Sequence, residues 1–200
     1  MESQARYDRA PIAEMTGGII LANFKRTAAV ADEYQSEAQL EARLIAQLEQ
    51  QGYERLTIHG MEDLYANLKI QLERLNGVVF SPAEWRRLLA EYLDAPNDGI
   101  VEKTRKVQDD HVYDFTFDDG HVQNIRILDK KHINNNRLQV TSQVSQHGQY
   151  HNRYDVTILV NGLPLVHVEL KKRGVNIREA FYQIHRYSRE SFNLPNSLYN

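Results

Sequence analysis

Asp155, Glu169, Lys171, Gln183 and Tyr187 all fall within the last fifty residues of the chain, and their side chains could together hydrolyse a phosphodiester. That reaction needs a hard divalent cation to polarise the phosphate and generate hydroxide, carboxylates to hold the cation, and a positive group near the attacking water or the scissile phosphate. Asp155 and Glu169 supply the carboxylates and Lys171 the ammonium. Side chains alternate along a strand, so Glu169 and Lys171 point to one side, about 6.6 Å apart, while Leu170 points to the other and suits a buried core. Gln183 and Tyr187 stand four apart, which places them on one face of a helix and lets both reach a common groove.

Whether the two acids can meet depends on register. Arg153 to Val160 and Pro164 to Leu170 read as the arms of a hairpin around Asn161-Gly162. A two-residue loop sets Asp155 opposite Val168 and leaves Glu169 on the wrong side of the sheet. One more loop residue, with Gly162 left-handed in a bulge, sets Asp155 directly across from Glu169, their Cβ atoms about 5 Å apart. The chemistry therefore predicts a bulge at the turn. As a cleft lysine, Lys171 is expected to be solvent-accessible, so its removal should cost cleavage rather than folding.

The elements that position this hairpin are legible upstream. Ser36 and Gln39 have capping-box spacing, and Leu40, Leu44, Ile45 and Leu48 form a helical stripe that stops at Gly52. A second helix is expected from Met61 to Leu75, halting at Asn76-Gly77. A third opens with Ser81-Pro82-Ala83-Glu84 and ends before Pro96. Glu41 lies on the apolar stripe of the first helix, where a carboxylate is costly unless paired or bound to metal, and it is a further candidate ligand. From His111 the period becomes two. His111 to Phe117 and His121 to Leu128 form a hairpin around Asp119-Gly120, Arg137 to Ser145 follows, and the strands are expected to be consecutive and largely antiparallel. A last helix runs from Ile177 to Phe192. Residues 1–35 read as an irregular extension with one strand near Gly18 to Ala22, and 36–200 as one mixed α/β domain.

Composition bounds the rest. Two hundred residues, 42% apolar and 26% charged, suit a globular domain with a real core. The absence of cysteine excludes disulfides, thiolate metal sites and cysteine nucleophiles, so any metal is held by oxygen or imidazole. No apolar run approaches the roughly 18 residues that span a bilayer, and a cytoplasmic home without membrane contact is expected. Net charge is -3, yet residues 151–200 carry seven Lys and Arg against four acids. Basic charge thus gathers where a polyanion would bind, with Lys172 and Arg173 beside the candidate site.

Asp155, Glu169-x-Lys171 and Gln183-x-x-x-Tyr187 resemble the nuclease domain of the motor (R) subunit of type I restriction enzymes, a member of the PD-(D/E)xK superfamily. The likeness extends over residues 34–200, including Gly52-Tyr53-Glu54, Leu75 to Phe80, Glu84 to Arg87 and Asn152 to Ser191. Tyr154 stands where the superfamily name has proline. The resemblance implies a restriction-endonuclease-like mixed sheet flanked by helices, with Asp155 and Glu169 as Mg²⁺ ligands, Lys171 as the catalytic lysine, and Gln183 with Tyr187 as the accessory motif. Glu41 matches the helix glutamate of many superfamily members, and His167 is a further polar group on the Glu169 face.

The same resemblance implies cleavage of unmethylated foreign duplex DNA, coupled to ATP-dependent translocation, in a complex with methyltransferase (M) and specificity (S) subunits. The chain contains no G-x-x-x-x-G-K-[ST] loop, so ATP is expected to act only through translocase domains outside these residues, and the chain is expected to be an amino-terminal fragment. Two rival readings are a nuclease fold used only for assembly or DNA binding, and a stand-alone structure-specific nuclease.

Overall fold

The structure is a computed structural model that describes residues 7–15, 18–26, 35–142, 145–147, 151–172, 174–190 and 198, with side chains for 35–142, 154–172, 174–176, 178–186 and 198. It contains two compact units, Met1–Tyr34 and Gln35–Asn200. The first is an antiparallel hairpin of β1 (Tyr7–Met15) and β2 (Gly18–Arg26), with register shifts between Pro11 and Glu14. The sequence suggested one strand here rather than two. Proline and charged residues break the alternation of the first strand, and only its pairing supplies the missing ladder.

The second unit begins with α1 (Glu37–Gln50), whose Ser36 Oγ accepts from the Gln39 N–H while Gln39 Oε1 accepts from the Ser36 N–H, the capping box expected from sequence. After β3 (Glu54–Leu56) comes α2 (Met61–Asn76), which ends as expected at Gly77 in the left-handed conformation, φ 64°. The box of Ser81 and Glu84 starts α3 (Pro82–Leu88), and a π-turn over Leu89–Leu93 carries the chain on toward Pro96.

One helix escaped the sequence reading. This is α4 (Ile100–Gln108), where the residue turned into the protein is Lys103, 2% exposed and bonded to Asp94 at 2.8 Å, with the Tyr65 hydroxyl on the other Asp94 oxygen at 2.6 Å. A charge at the buried position hides the apolar period that announces a helix.

The strands β4 (Val112–Thr116) and β5 (Val122–Arg126) pair as the expected hairpin, but form a sheet of their own. β6 (Leu138–Ser142), β9 (Val156–Val160) and β10 (Leu163–Val168) join β3 in a four-stranded sheet of order β10-β9-β6-β3; β7 (Ser145–His147) and β8 (His151–Arg153) pair separately, and α5 (Ile177–Glu190) follows. The consecutive meander expected from sequence is thus corrected. β3 runs parallel to β6, and its three residues are too few to display a period.

Helices cover both faces of this sheet. Leu44, Ile45 and Leu48 of α1 gather with Val140, Val156, Ile158, Val168 and Leu170. Leu64, Leu68 and Leu72 of α2 gather with Leu159 and Leu163, and that cluster continues into Phe80, Trp85, Phe115, Phe117, Ile125 and Ile127. Neighbouring residues of β9 fall in different clusters because strand side chains alternate, which makes the unit a mixed sheet between helices.

Candidate nuclease site

The hairpin turn of the site is tighter than expected. Asn161 and Gly162 have φ of 51° and 82°, both positive, as a two-residue primed turn requires. Tertiary contacts hold it there. The Asn161 side chain donates to Ile127 O at 3.0 Å and Asn136 Oδ1 at 2.8 Å and accepts from the Arg137 N–H at 2.8 Å. Gly162 lies so close to α2 that a Cβ would stand 2.6 Å from Leu68 Cα.

With the turn fixed, the surplus residue is absorbed inside the strand. Leu163 and Pro164 pair with Val160 and Leu159, then the register shifts across Leu165, and Val166, His167 and Val168 pair with Ile158, Thr157 and Val156. The expected register is therefore found, with its bulge at Leu165 instead of Gly162. One step beyond the last pair, Asp155 stands opposite Glu169, and Asp155 Oδ2 accepts the Leu170 N–H at 2.7 Å. Leu170 joins the α1 cluster, so Glu169 and Lys171 take the other side of the chain.

The acids and the lysine meet in a poorly hydrated setting. Lys171 Nζ is 2.5 Å from Glu169 Oε1, with the two side chains 14% and 3% exposed. This corrects the expectation of a solvent-accessible lysine: removing it strands a buried carboxylate. Burial first, and then the Asp155 charge, push the Glu169 carboxyl above its ordinary range against the pull of Lys171. Burial pulls the Lys171 ammonium down, but its bond to Glu169 and the charges of Glu169, Glu37 and Asp155 outweigh that and raise it.

Glu169 Oε2 is buried and has no hydrogen-bond partner among the described residues. An orphaned carboxylate oxygen beside a second acid is the donor chemistry a hard cation takes. No group of three or more Asp, Glu or His that could hold a metal occurs among the described residues. Two carboxylates are enough for Mg²⁺, which keeps several waters and shares its remaining positions with substrate phosphate.

Around this pair, Tyr154 is 2% exposed and stacks on His167, ring centroids 4.1 Å apart, while His167 Nδ1 is 2.9 Å from Thr157 Oγ1. The residue in the superfamily's proline position is thus a buried aromatic, next in sequence to Asp155. Gln183 is half-buried on α5; Tyr187 lies one turn on in the same helix, and its side chain is outside the described residues, as is Arg173. Lys172 has an exposed side chain. Glu41 is half-buried, and one turn nearer the helix start the Glu37 charge reaches Glu169 and Lys171, while its Oε1 accepts the Lys172 N–H at 3.3 Å. Sequence reasoning missed Glu37, although its spacing of four from Glu41 puts both on one helix face.

A mixed sheet between helices, with two opposed acids and a lysine at the end of its edge hairpin, has the architecture of a nuclease-like fold. The chain belongs to the family described as the type I restriction enzyme R protein N terminus, whose model matches residues 34–200. It is similar to the type I restriction enzyme EcoprrI endonuclease subunit of Escherichia coli, 56% identical over 190 residues that make up 94% of this chain and 61% of that protein. It is also 40% identical to the SsaAORF53P endonuclease subunit of Staphylococcus saprophyticus and 42% identical to the SauMSSORF170P endonuclease subunit of Staphylococcus aureus, over 164 residues, 80% of this chain and 17% of each of those proteins. The chain thus spans less than two thirds of these relatives. Among the described residues no helix is long and apolar enough to cross a membrane.

Proposed function

We propose that this chain is the cutting part of a type I restriction motor subunit, which hydrolyses phosphodiester bonds in unmethylated foreign duplex DNA in the cytoplasm. Asp155 and Glu169 would hold Mg²⁺, with Glu41 as a further candidate ligand. When bound, the ion polarises the scissile phosphate and lowers the pKa of a coordinated water. Lys171, beside Glu169, stabilises negative charge that builds on the phosphate. Gln183 and Tyr187 orient the DNA backbone, and Lys172 with Arg173 attracts its phosphates. ATP-driven translocation belongs to other domains of the complete subunit, and methyltransferase and specificity subunits complete the assembly.

The observation that carries this reading is the shifted register, which sets Asp155 against Glu169 while Leu170 is anchored under α1. The same bulge that seats Val168 and Leu170 in the α1 cluster turns Glu169 toward Asp155 on the other side of the strand. Lys171→Ala in the reassembled complex with ATP and Mg²⁺ is expected to lose cleavage by about 10³-fold while ATP hydrolysis continues. Plasmid cleavage at the unaltered rate would remove the assignment. Cutting by these 200 residues alone, with Mg²⁺ and no ATP, would favour a stand-alone nuclease; failure of the unaltered complete complex to cut would favour a binding module.

A further inference from the structure

The ladder between β9 and β10 ends at Val156 and Val168, yet Glu169 and Lys171 lie beyond it. In an extended segment the N–H groups of residues two apart point the same way, and each needs an acceptor when a neighbouring strand is missing. Here two carboxylates serve in its place: Asp155 Oδ2 takes the Leu170 N–H at 2.7 Å and Glu37 Oε1 takes the Lys172 N–H at 3.3 Å. The two grips bracket Lys171.

We infer that Glu37 is a positioning residue of this nuclease site, fixing the strand end that carries Glu169 and Lys171 through its bond to the Lys172 backbone. The inference rests on the reading of the site given above. Glu37 is well placed for the task. It is the first residue of α1, in a turn already locked by the Ser36–Gln39 box, and a carboxylate there is favoured by the helix dipole. Two to three turns further along, α1 packs Leu44, Ile45 and Leu48 into the cluster that also takes Leu170. The helix therefore holds the strand end at two points, one apolar and one polar, and the polar one crosses 135 positions of sequence. Without it, the strand end loses the polar grip next to Lys171. A shift of about 1 Å in a catalytic group costs up to about 10²-fold in rate.

The test uses the complete subunit in its reassembled complex, with single-turnover plasmid cleavage, DNA affinity and ATP hydrolysis read in parallel. Glu37→Ala is expected to slow cleavage by about tenfold or more with DNA affinity and ATP hydrolysis unchanged. Glu37→Gln, which keeps an acceptor oxygen at the same reach, is expected to restore cleavage to within about twofold. Glu37→Asp keeps the charge at the helix start but falls one methylene short, and is expected to be as slow as Glu37→Ala; this separates positioning from loss of helix stability. Wild-type cleavage by Glu37→Ala, equal slowing by Ala and Gln, or full activity of Glu37→Asp overturns the inference. Lys171→Ala is run beside them. If it is inactive while Glu37→Ala cleaves normally, only the positioning role falls; if it cleaves normally, the nuclease reading falls and takes this inference with it.

Discussion

Two hairpins in this protein share a plan and differ by one residue. In β4–β5 the register is unbroken from Val112–Arg126 to Thr116–Val122, and the turn closes with the Phe117 N–H on His121 O at 2.8 Å and Gly120 at φ 87°. Every second side chain simply goes inward: Phe115, Phe117, Ile125 and Ile127 are buried, and Phe115 meets Phe80 edge-on with centroids 5.7 Å apart. In β9–β10 the register slips at Leu165, and the strand end gathers a buried acid, one of whose oxygens has no hydrogen-bond partner among the described residues. An even ladder is sufficient for packing. Bringing two acids together needed a local breach of that ladder, and the breach leaves polar groups that packing alone would have removed.

The contrast can be broken most sharply at the acids. Asp155→Asn keeps an acceptor for the Leu170 N–H but removes the charge, and is expected to lower cleavage in the complete complex by about 10³-fold. Asp114→Asn, in the other hairpin, is expected to leave the rate within about twofold, read in the same plasmid assay. Next come the turn glycines. An Ala at Gly162 combines a left-handed backbone with a Cβ 2.6 Å from the α2 backbone, and is expected to cost about 3 kcal/mol in urea unfolding. At Gly120 nothing lies within 4 Å, so Ala there brings only backbone strain of about 1 kcal/mol.

Stability and function should part company at Glu169. Burial and Asp155 raise its carboxyl above the ordinary value of 4.5, so the ionised form is disfavoured in the folded state at neutral pH. Below about pH 4 both folded and unfolded chains carry the proton and the penalty vanishes. Glu169→Gln is expected to raise the melting temperature by about 2 °C at pH 7, with the gain disappearing in acid, and to abolish cleavage. The smallest effect belongs to a loop beside the first hairpin. Backbone N–H groups of His132 and Lys131 and the Asn135 amide hold the Asp129 carboxyl down to about 2. Its contribution to stability is complete above about pH 4 and fades as pH falls toward 2, so the gap in melting temperature between wild type and Asp129→Ala should narrow over that range.

What the amino-acid sequence settled lies within short reach of each residue. The boxes at Ser36–Gln39 and Ser81–Glu84, the stop at Gly77 and the alternation around Asp119-Gly120 were legible because their hydrogen bonds and side-chain periods close within a few positions. The inventory of the site was legible too, since Asp155, Glu169 and Lys171 are defined by type and spacing, and so was the demand that the acids share a face. Where that demand is met was decided by the tertiary structure. Asn161 is tied to Ile127, Asn136 and Arg137, and Gly162 is pressed against Leu68, so the turn could not take the extra residue and Leu165 did. Lys103 inside α4, the parallel pairing of β3, and Glu37 reaching Lys172 are decisions of the same kind. Each depends on groups far apart in the chain, whose meeting is set by how helices and sheet pack rather than by any local pattern.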